Sequence, residues 1–255
     1  MNNSRFVRRI LWCCIFVALA ATHVLAAEKE TVSPYLCNRA EGGIVIDGKL
    51  DETAWAKAPV IKLLVPVANE TPISKTEGRV LWDDKYIYVG FKAYDEDIWS
   101  YFTNRDSQTC CEDVLEFFFS TTPNKEPFFN FEVNAIGTIY DAYNIKRGAG
   151  GNDLIIHRWC MWNCEGAKTA TYTDGTLNNH EDTDHYWQLE LAVPFAELPT
   201  LKGKTPQGGD IWTFQLARYD YSIYLPGGQE LSSSAKLSVL NFHWFEDWAP
   251  LKFVK

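Results

Sequence analysis

The residues best placed to do chemistry are carboxyl and amide side chains set at alternate positions within apolar runs. Residues 128–135 read Phe-Phe-Asn-Phe-Glu-Val-Asn-Ala. In a strand, Asn130, Glu132 and Asn134 share one face, opposite Phe129, Phe131 and Val133. Glu116 lies in the neighbouring run, Val114 to Ser120. Polar side chains so placed either face solvent as cross-strand pairs, line a ligand pocket, or hold a metal. Arg105-Asp106 and Glu112-Asp113 border a long irregular stretch from Asp95 to Glu112. Arg105 can fork two hydrogen bonds to vicinal hydroxyls or to a carboxylate, or close the loop as an Arg–Asp ion pair. Arg218 lies on a late strand, either under the pocket or paired with Glu132.

Asp182-Thr183-Asp184, with Asn178, Asn179 and Glu181 nearby, is rich in hard oxygen ligands. Calcium takes about six to eight such oxygens, so a structural calcium near Asp182 and Asp184 is one reading; a plain turn is the other. The spacing is not that of an EF-hand loop. Glu112, Asp113, Glu116 and Glu132 include material for the two carboxyl groups of a glycoside hydrolase. No nucleophile-elbow or metalloprotease motif accompanies them. Met161 and His157, His180, His185 and His243 give a thin basis for haem ligation, without an attachment Cys-x-x-Cys-His. No organic cofactor is expected.

The chain has 255 residues, 33 acidic against 24 basic, and a formal charge of −9. Its first 26 residues read as a cleaved signal peptide. Arg5, Arg8 and Arg9 precede an apolar stretch, Ile10 to Ala21, too short to span a bilayer, and Val24-Leu25-Ala26 fits a cleavage site. The expected location is secreted or periplasmic. Removal of the three leader arginines leaves 21 basic residues and a charge of −12. That balance argues against nucleic acid and anionic membrane surfaces as partners. It suits a neutral polysaccharide or a cation.

Five cysteines follow the leader: Cys37, Cys110, Cys111, Cys160 and Cys164. Export makes disulfides plausible, with Cys37, Cys160 and Cys164 as candidates and the pairing open. Adjacent Cys110 and Cys111 are poor partners for each other.

Almost every segment that must position these groups reads as strand. The runs are 79–82, 86–93, 114–120, 128–135, 138–145, 168–173, 186–193, 211–219, 235–240 and 251–254. Helical pattern is confined to 52–57, with Asp51 as N-cap and Pro59 as far limit, and to 194–198. This is an all-β class: one antiparallel β-sandwich over 27–255, jelly-roll-like, with one or two short helices. Its long irregular stretches, 95–112, 147–166, 174–185 and 222–234, are where binding would reside.

Several blocks resemble one family. Ile46-Asp47-Gly48-Lys49-Leu50-Asp51-Glu52-Thr53-Ala54-Trp55 is similar to the opening signature of carbohydrate-binding module family 9, among the DOMON-like sandwiches. "RVLWDDKYIYVGFKAYDED", "NRDSQTCCEDVLEFFFS", "FFNFEVNAIGTIYDAY", "TDGTLNNHEDTDHYWQLELAVPF", "GDIWTFQLARYD" and "NFHWFEDWAPLKF" resemble later family blocks, in order. The resemblance implies a sandwich often carrying structural calcium and often attached to xylanases and other glycoside hydrolases. It implies non-catalytic binding of an oligo- or polysaccharide, accessory to degradation of xylan- or cellulose-type chains by a separate hydrolase. The family clamps a sugar ring between two tryptophans. Here Cys110-Cys111-Glu112 stand where the first clamp residue is expected, leaving Trp99, Tyr101 or Phe102 as substitutes. Trp244 or Trp248 would supply the second. Polar recognition would then fall to Arg105, Glu112, Glu132, Asn134 and Arg218.

Overall fold

A computed structural model describes residues 32–147, 156–158 and 162–255. The segment expected as a signal peptide, Cys160 and Met161 lie outside these residues, as does the side chain of His157. Among the described residues no helix is long and apolar enough to cross a membrane.

The strands are β1 (Tyr35–Arg39), β2 (Ile61–Lys62), β3 (Thr76–Trp82), β4 (Tyr86–Tyr94), β5 (Val114–Ser120), β6 (Phe128–Asn134) and β7 (Ile139–Arg147). They continue as β8 (Ile156–Arg158), β9 (Lys168–Asp174), β10 (Tyr186–Pro194), β11 (Ile211–Tyr221), β12 (Gln229–Ser233) and β13 (Ala249–Phe253). The first sheet runs β8-β7-β6-β5-β11-β13-β1, with β12 paired to β11. The second runs β1-β3-β4-β10-β9, with β2 paired to β3. The pairings are antiparallel except at β1, which is parallel to β13 through Tyr35–Cys37 and to β3 through Asn38–Arg39. One strand therefore forms a corner shared by both sheets, a departure from the purely antiparallel expectation.

Alternation places the core. Phe117, Phe119, Phe129 and Phe131 of the first sheet pack in one cluster with Val89, Phe91, Leu189 and Leu191 of the second. The sheets come so close that a Cβ on Gly78 would lie 2.2 Å from Leu216 Cδ1 of the opposite sheet. Two strand readings need correction. The run 235–240 is not a strand; its apolar residues Ala235 and Leu237 pack over the outer face of the first sheet. The pairing strand is the more polar Gln229–Ser233, inside a stretch that read as irregular. Partial alternation reflects burial, which a packed loop also provides.

The opening motif docks on the outer face of the second sheet. Gly48 has φ +91°, and a Cβ there would meet Thr171 backbone at 2.5 Å, so the turn requires glycine. Glu190 of β10 is fully buried. Its Oε2 accepts the backbone N–H groups of Asp47 and Gly48 at 2.9 Å, and its Oε1 accepts Trp55 Nε1 at 2.9 Å. Helix α1 (Thr53–Lys57) buries Ala54 and Trp55 against Leu81, Tyr88 and Ala192. Its N-cap is Glu52, not Asp51, and no side chain caps it; Glu52 Oε1 is engaged by Val45 N–H instead. The 194–198 expectation resolves into 3-10 turns at Phe195–Glu197 and Pro199–Leu201.

At one end of the sandwich a buried ionic cluster joins the sheets. Arg218 of β11 points inward and reaches Asp95 Oδ2 (2.7 Å), the Tyr94 carbonyl (2.9 Å) and Thr76 Oγ1 (3.2 Å). Asp113 accepts Trp99 N–H through Oδ2 (2.6 Å) and Tyr221 N–H through Oδ1 (2.7 Å). Burial outweighs the Arg218 contact and holds the Asp95 carboxyl at about 7, and burial raises Asp113 well above the usual carboxylate range.

Two outcomes are expected. Glu190→Ala strands three N–H donors and lowers unfolding free energy by roughly 3 kcal/mol or more, read by urea denaturation. Glu190→Gln, which keeps one acceptor oxygen, costs less. The second concerns pH. Between about pH 4 and 7 the folded chain retains an Asp95 proton that the unfolded chain has released, so this group's contribution falls as pH rises. The stability of wild type relative to Asp95→Asn therefore declines across that window; a pH-independent difference would refute it.

Candidate functional site

The outward face of the first sheet carries the chemistry. Glu116 and Phe118 project from β5, Phe128, Asn130, Glu132 and Asn134 from β6, and Tyr140, Ala142 and Asn144 from β7. Tyr219 and Tyr221 project on the same side from β11. An outer face of an antiparallel sheet normally meets water. Here Glu116, Asn130, Glu132, Asn134 and Asn144 are between 0 and 9% exposed. The solvated-face reading is therefore excluded.

Two flanking segments account for part of this burial. The loop 95–112 covers one end. The segment 234–248 lays Ala235, Leu237, Phe242 and Trp248 against Phe118 and Phe128. A row of polar contacts runs along the strands beside them. Asn144 Nδ2 donates to Asn130 Oδ1 (2.7 Å), Asn130 Nδ2 donates to Glu132 Oε1 (3.0 Å), and Thr109 Oγ1 donates to Glu132 Oε2 (2.9 Å). Glu116 stands directly opposite Glu132 in the β5–β6 register. Among the described residues its Oε2 has no hydrogen-bond partner. Burial, with the Glu132 charge beside it, pushes the Glu116 carboxyl well above the usual range.

Half-buried tyrosines border this row. Tyr219 and Tyr221 lie parallel, with centroids 6.5 Å apart at 10°, and the Tyr221 hydroxyl donates to the Cys110 carbonyl. Cys110 is no nucleophile: burial first, then Glu132, raises its thiol to about 12.

Several anticipated site residues do structural work instead. Glu112 Oε2 accepts Tyr101 and Phe102 N–H, and its Oε1 accepts Asn134 Nδ2. Glu112 and Asn134 thus hold the 95–112 loop and have no face left for a ligand. Arg105 takes the loop-closing alternative, pairing with Asp141 (2.5 Å) and the Cys164 carbonyl (3.1 Å). Arg218 is fully buried between the sheets and pairs with Asp95, not Glu132. Trp248 is 3% exposed and donates Nε1–H to the Phe242 carbonyl, which makes it core.

Glu132 remains at the site. Trp99 and Trp244 remain at its borders. Trp99 stacks on His180 (6.1 Å, 18°) and lines a shallow 240 Å³ pocket with Tyr221 and Ile223. Tyr101 and Phe102 are exposed beside it. Trp244 is half-buried, with the Arg147 guanidinium 4.5 Å from its ring centroid. Thr109, Asn144, Tyr219 and Tyr221 were missed; continuing the alternation of β6 onto β7 and β11 would have found the last three.

At the expected calcium position the two acidic residues differ in setting. Asp184 is buried, and its two oxygens accept Thr176 and Ile98 N–H; Asp182 is exposed. Asp95, Asp113 and Asp220 bring carboxylate oxygens within 4.8 Å of one another, but Arg218 Nη2 lies 2.7 Å from Asp95 and 3.3 Å from Asp220 and supplies the positive charge. Among the described residues Cys37 and Cys164 are buried free thiols not joined to each other, and Cys110 and Cys111 are also free.

Comparison with known proteins gives the same architecture. A search of curated proteins returns no match. A Bacteroides uniformis ATCC 8492 protein, provisionally designated carbohydrate-binding, superposes with TM-score 0.64 at 13% identity, over 88% of this chain and all of that one. A family 9 carbohydrate-binding module from Caldicellulosiruptor kristjanssonii is similar in complex with cellotriose (TM-score 0.55, 14% identity, 86% of this chain and 93% of that one). It is also similar in complex with glucose (TM-score 0.55, 15% identity, 86% and 95%). At these identities the likeness is one of fold. The family model described as "Carbohydrate family 9 binding domain-like" matches residues 46–222, about two thirds of the sequence, and the chain belongs to that family.

Proposed function

We propose that this protein binds saccharide, without cleaving it, on the outer face of its first sheet. The observation that carries this reading is the buried row Asn144–Asn130–Glu132, with Glu116 beside it and its Oε2 unpartnered. A sugar ring offers adjacent hydroxyls that both donate and accept, and C–H faces that lie on aromatic rings. The Glu116 carboxyl, with its unengaged Oε2, and Glu132 meet the hydroxyls, and the flanking Tyr219, Tyr221 and Trp99 supply ring faces. Related folds bind cellotriose and glucose, which supports an equatorial-rich pyranose as ligand. The apolar leader and acidic balance support export and an accessory role beside a separate glycoside hydrolase on xylan- or cellulose-type chains.

Calorimetric titration of the mature chain with xylo-, cello- and manno-oligosaccharides tests the reading. Saturable binding is expected with at least one series. Glu116→Ala should weaken it about tenfold, near 1.4 kcal/mol, with an unchanged thermal transition. Trp99→Ala should cost about 1–2 kcal/mol of binding. Trp248→Ala should instead lower fold stability by about 3–5 kcal/mol, since it empties a core position. A folded protein that takes up none of these sugars would end the proposal.

A further inference from the structure

The outer face of the second sheet carries features that the first site does not use. Cross-strand pairing sets Lys62, Glu77, Lys92, Gln188 and Tyr172 in one row across β2, β3, β4, β10 and β9. The adjacent row places Tyr94 opposite Tyr186. Their rings are 6.4 Å apart, and Tyr172 lies 6.3 Å from Tyr186. Lys92 Nζ sits 3.7 Å from the Tyr186 centroid and 5.1 Å from that of Tyr94. Tyr94 is 40% exposed.

Two clefts, of about 620 and 710 Å³, meet at Tyr94 and Ile73. Each lies within the range of about 300–1,000 Å³ typical of ligand pockets. The second is lined by Lys62, Lys75 and Glu77. Glu77 is already engaged by Arg79 at 3.2 Å. Among the described residues, neither Lys62 nor Lys75 has a carboxylate within ion-pair distance, although the chain carries 33 acidic residues and a charge of −9. Locally unpaired ammonium groups beside an exposed tyrosine, on an otherwise acidic protein, form a complement to an anion on a sugar frame. The first cleft is lined by four acidic residues: Asp95, held by Arg218, Asp184, held by backbone N–H groups, and Glu96 and Asp174; none of them lines the second cleft.

We propose that this groove is a second saccharide site, selective for acidic glycans. A uronate carboxylate meets Lys62 and Lys75 in the second cleft, the pyranose face lies on Tyr94, and the next ring enters the first cleft beside Lys92 and Tyr186. This site is separate from the row around Glu116 and does not depend on the reading given to it.

The test is titration of the full mature chain with tri-galacturonate, with cellotriose as neutral control and polyglutamate as a purely anionic control. Saturable tri-galacturonate binding is expected, weakening as salt rises through the range where the Debye length shrinks below about 10 Å. Lys62→Ala/Lys75→Ala and Tyr94→Ala should each weaken it about tenfold or more. These side chains are exposed, so the thermal transition should not move. Glu116→Ala should leave tri-galacturonate binding intact. The proposal is overturned by absent saturation, by equal binding of polyglutamate, or by loss of binding in Glu116→Ala but not in the lysine variants. Loss of cellotriose binding alone would sink only the first site.

Discussion

Buried carboxylates that accept backbone N–H groups hold the loops of this protein in place, and Asp113 is the central case. It ties Trp99 of the 95–112 loop to Tyr221 at the end of β11. Beside it Arg218 spans the gap between the sheets and neutralises part of the local charge. Glu112 does the same for Tyr101 and Phe102, and Asp184 for Ile98 and Thr176. A loop has no ladder to satisfy its N–H groups, and each one buried without a partner is costly. A carboxyl group takes two or more at once, because each of its oxygens accepts. Much of the acidity that a composition reading assigns to ligands is spent on the backbone.

That constraint shapes the candidate site. With Glu112, Asn134 and Arg105 committed to the loop, the polar groups left facing outward are those on the strands themselves: Asn130, Glu132, Asn144 and Glu116. Groups projecting from paired strands are held more rigidly than groups on loops, which lowers the entropic cost of ordering them around a ligand. The upward shift of the Glu116 carboxyl follows from the same placement. Two carboxyls face one another across β5 and β6 in a buried setting, which disfavours charge on Glu116.

The opening motif illustrates how a short sequence signature reads as physics. Gly48 permits the turn, Trp55 fills the outer face of the second sheet, and Glu190, about 140 residues later in the chain, receives the N–H groups of both. The turn and the helix were legible; their shared acceptor was not, because nothing local distinguishes Glu190 from a surface carboxylate.

The sequence by itself determined the all-β class, most strand positions and the inward set of phenylalanines, because strand side chains alternate and burial demands an apolar face. It also marked Asn130, Glu132, Asn134 and Glu116 as one polar set, and its ordered blocks marked the family. Only the tertiary structure decided that β1 is shared by two sheets, that Trp248 and Arg218 are interior, and that Glu112, Asn134 and Asp184 serve the backbone. The reason is physical. A residue type states what a side chain can bond, but the nearest donor or acceptor in a β-sandwich lies on a strand or loop distant in sequence.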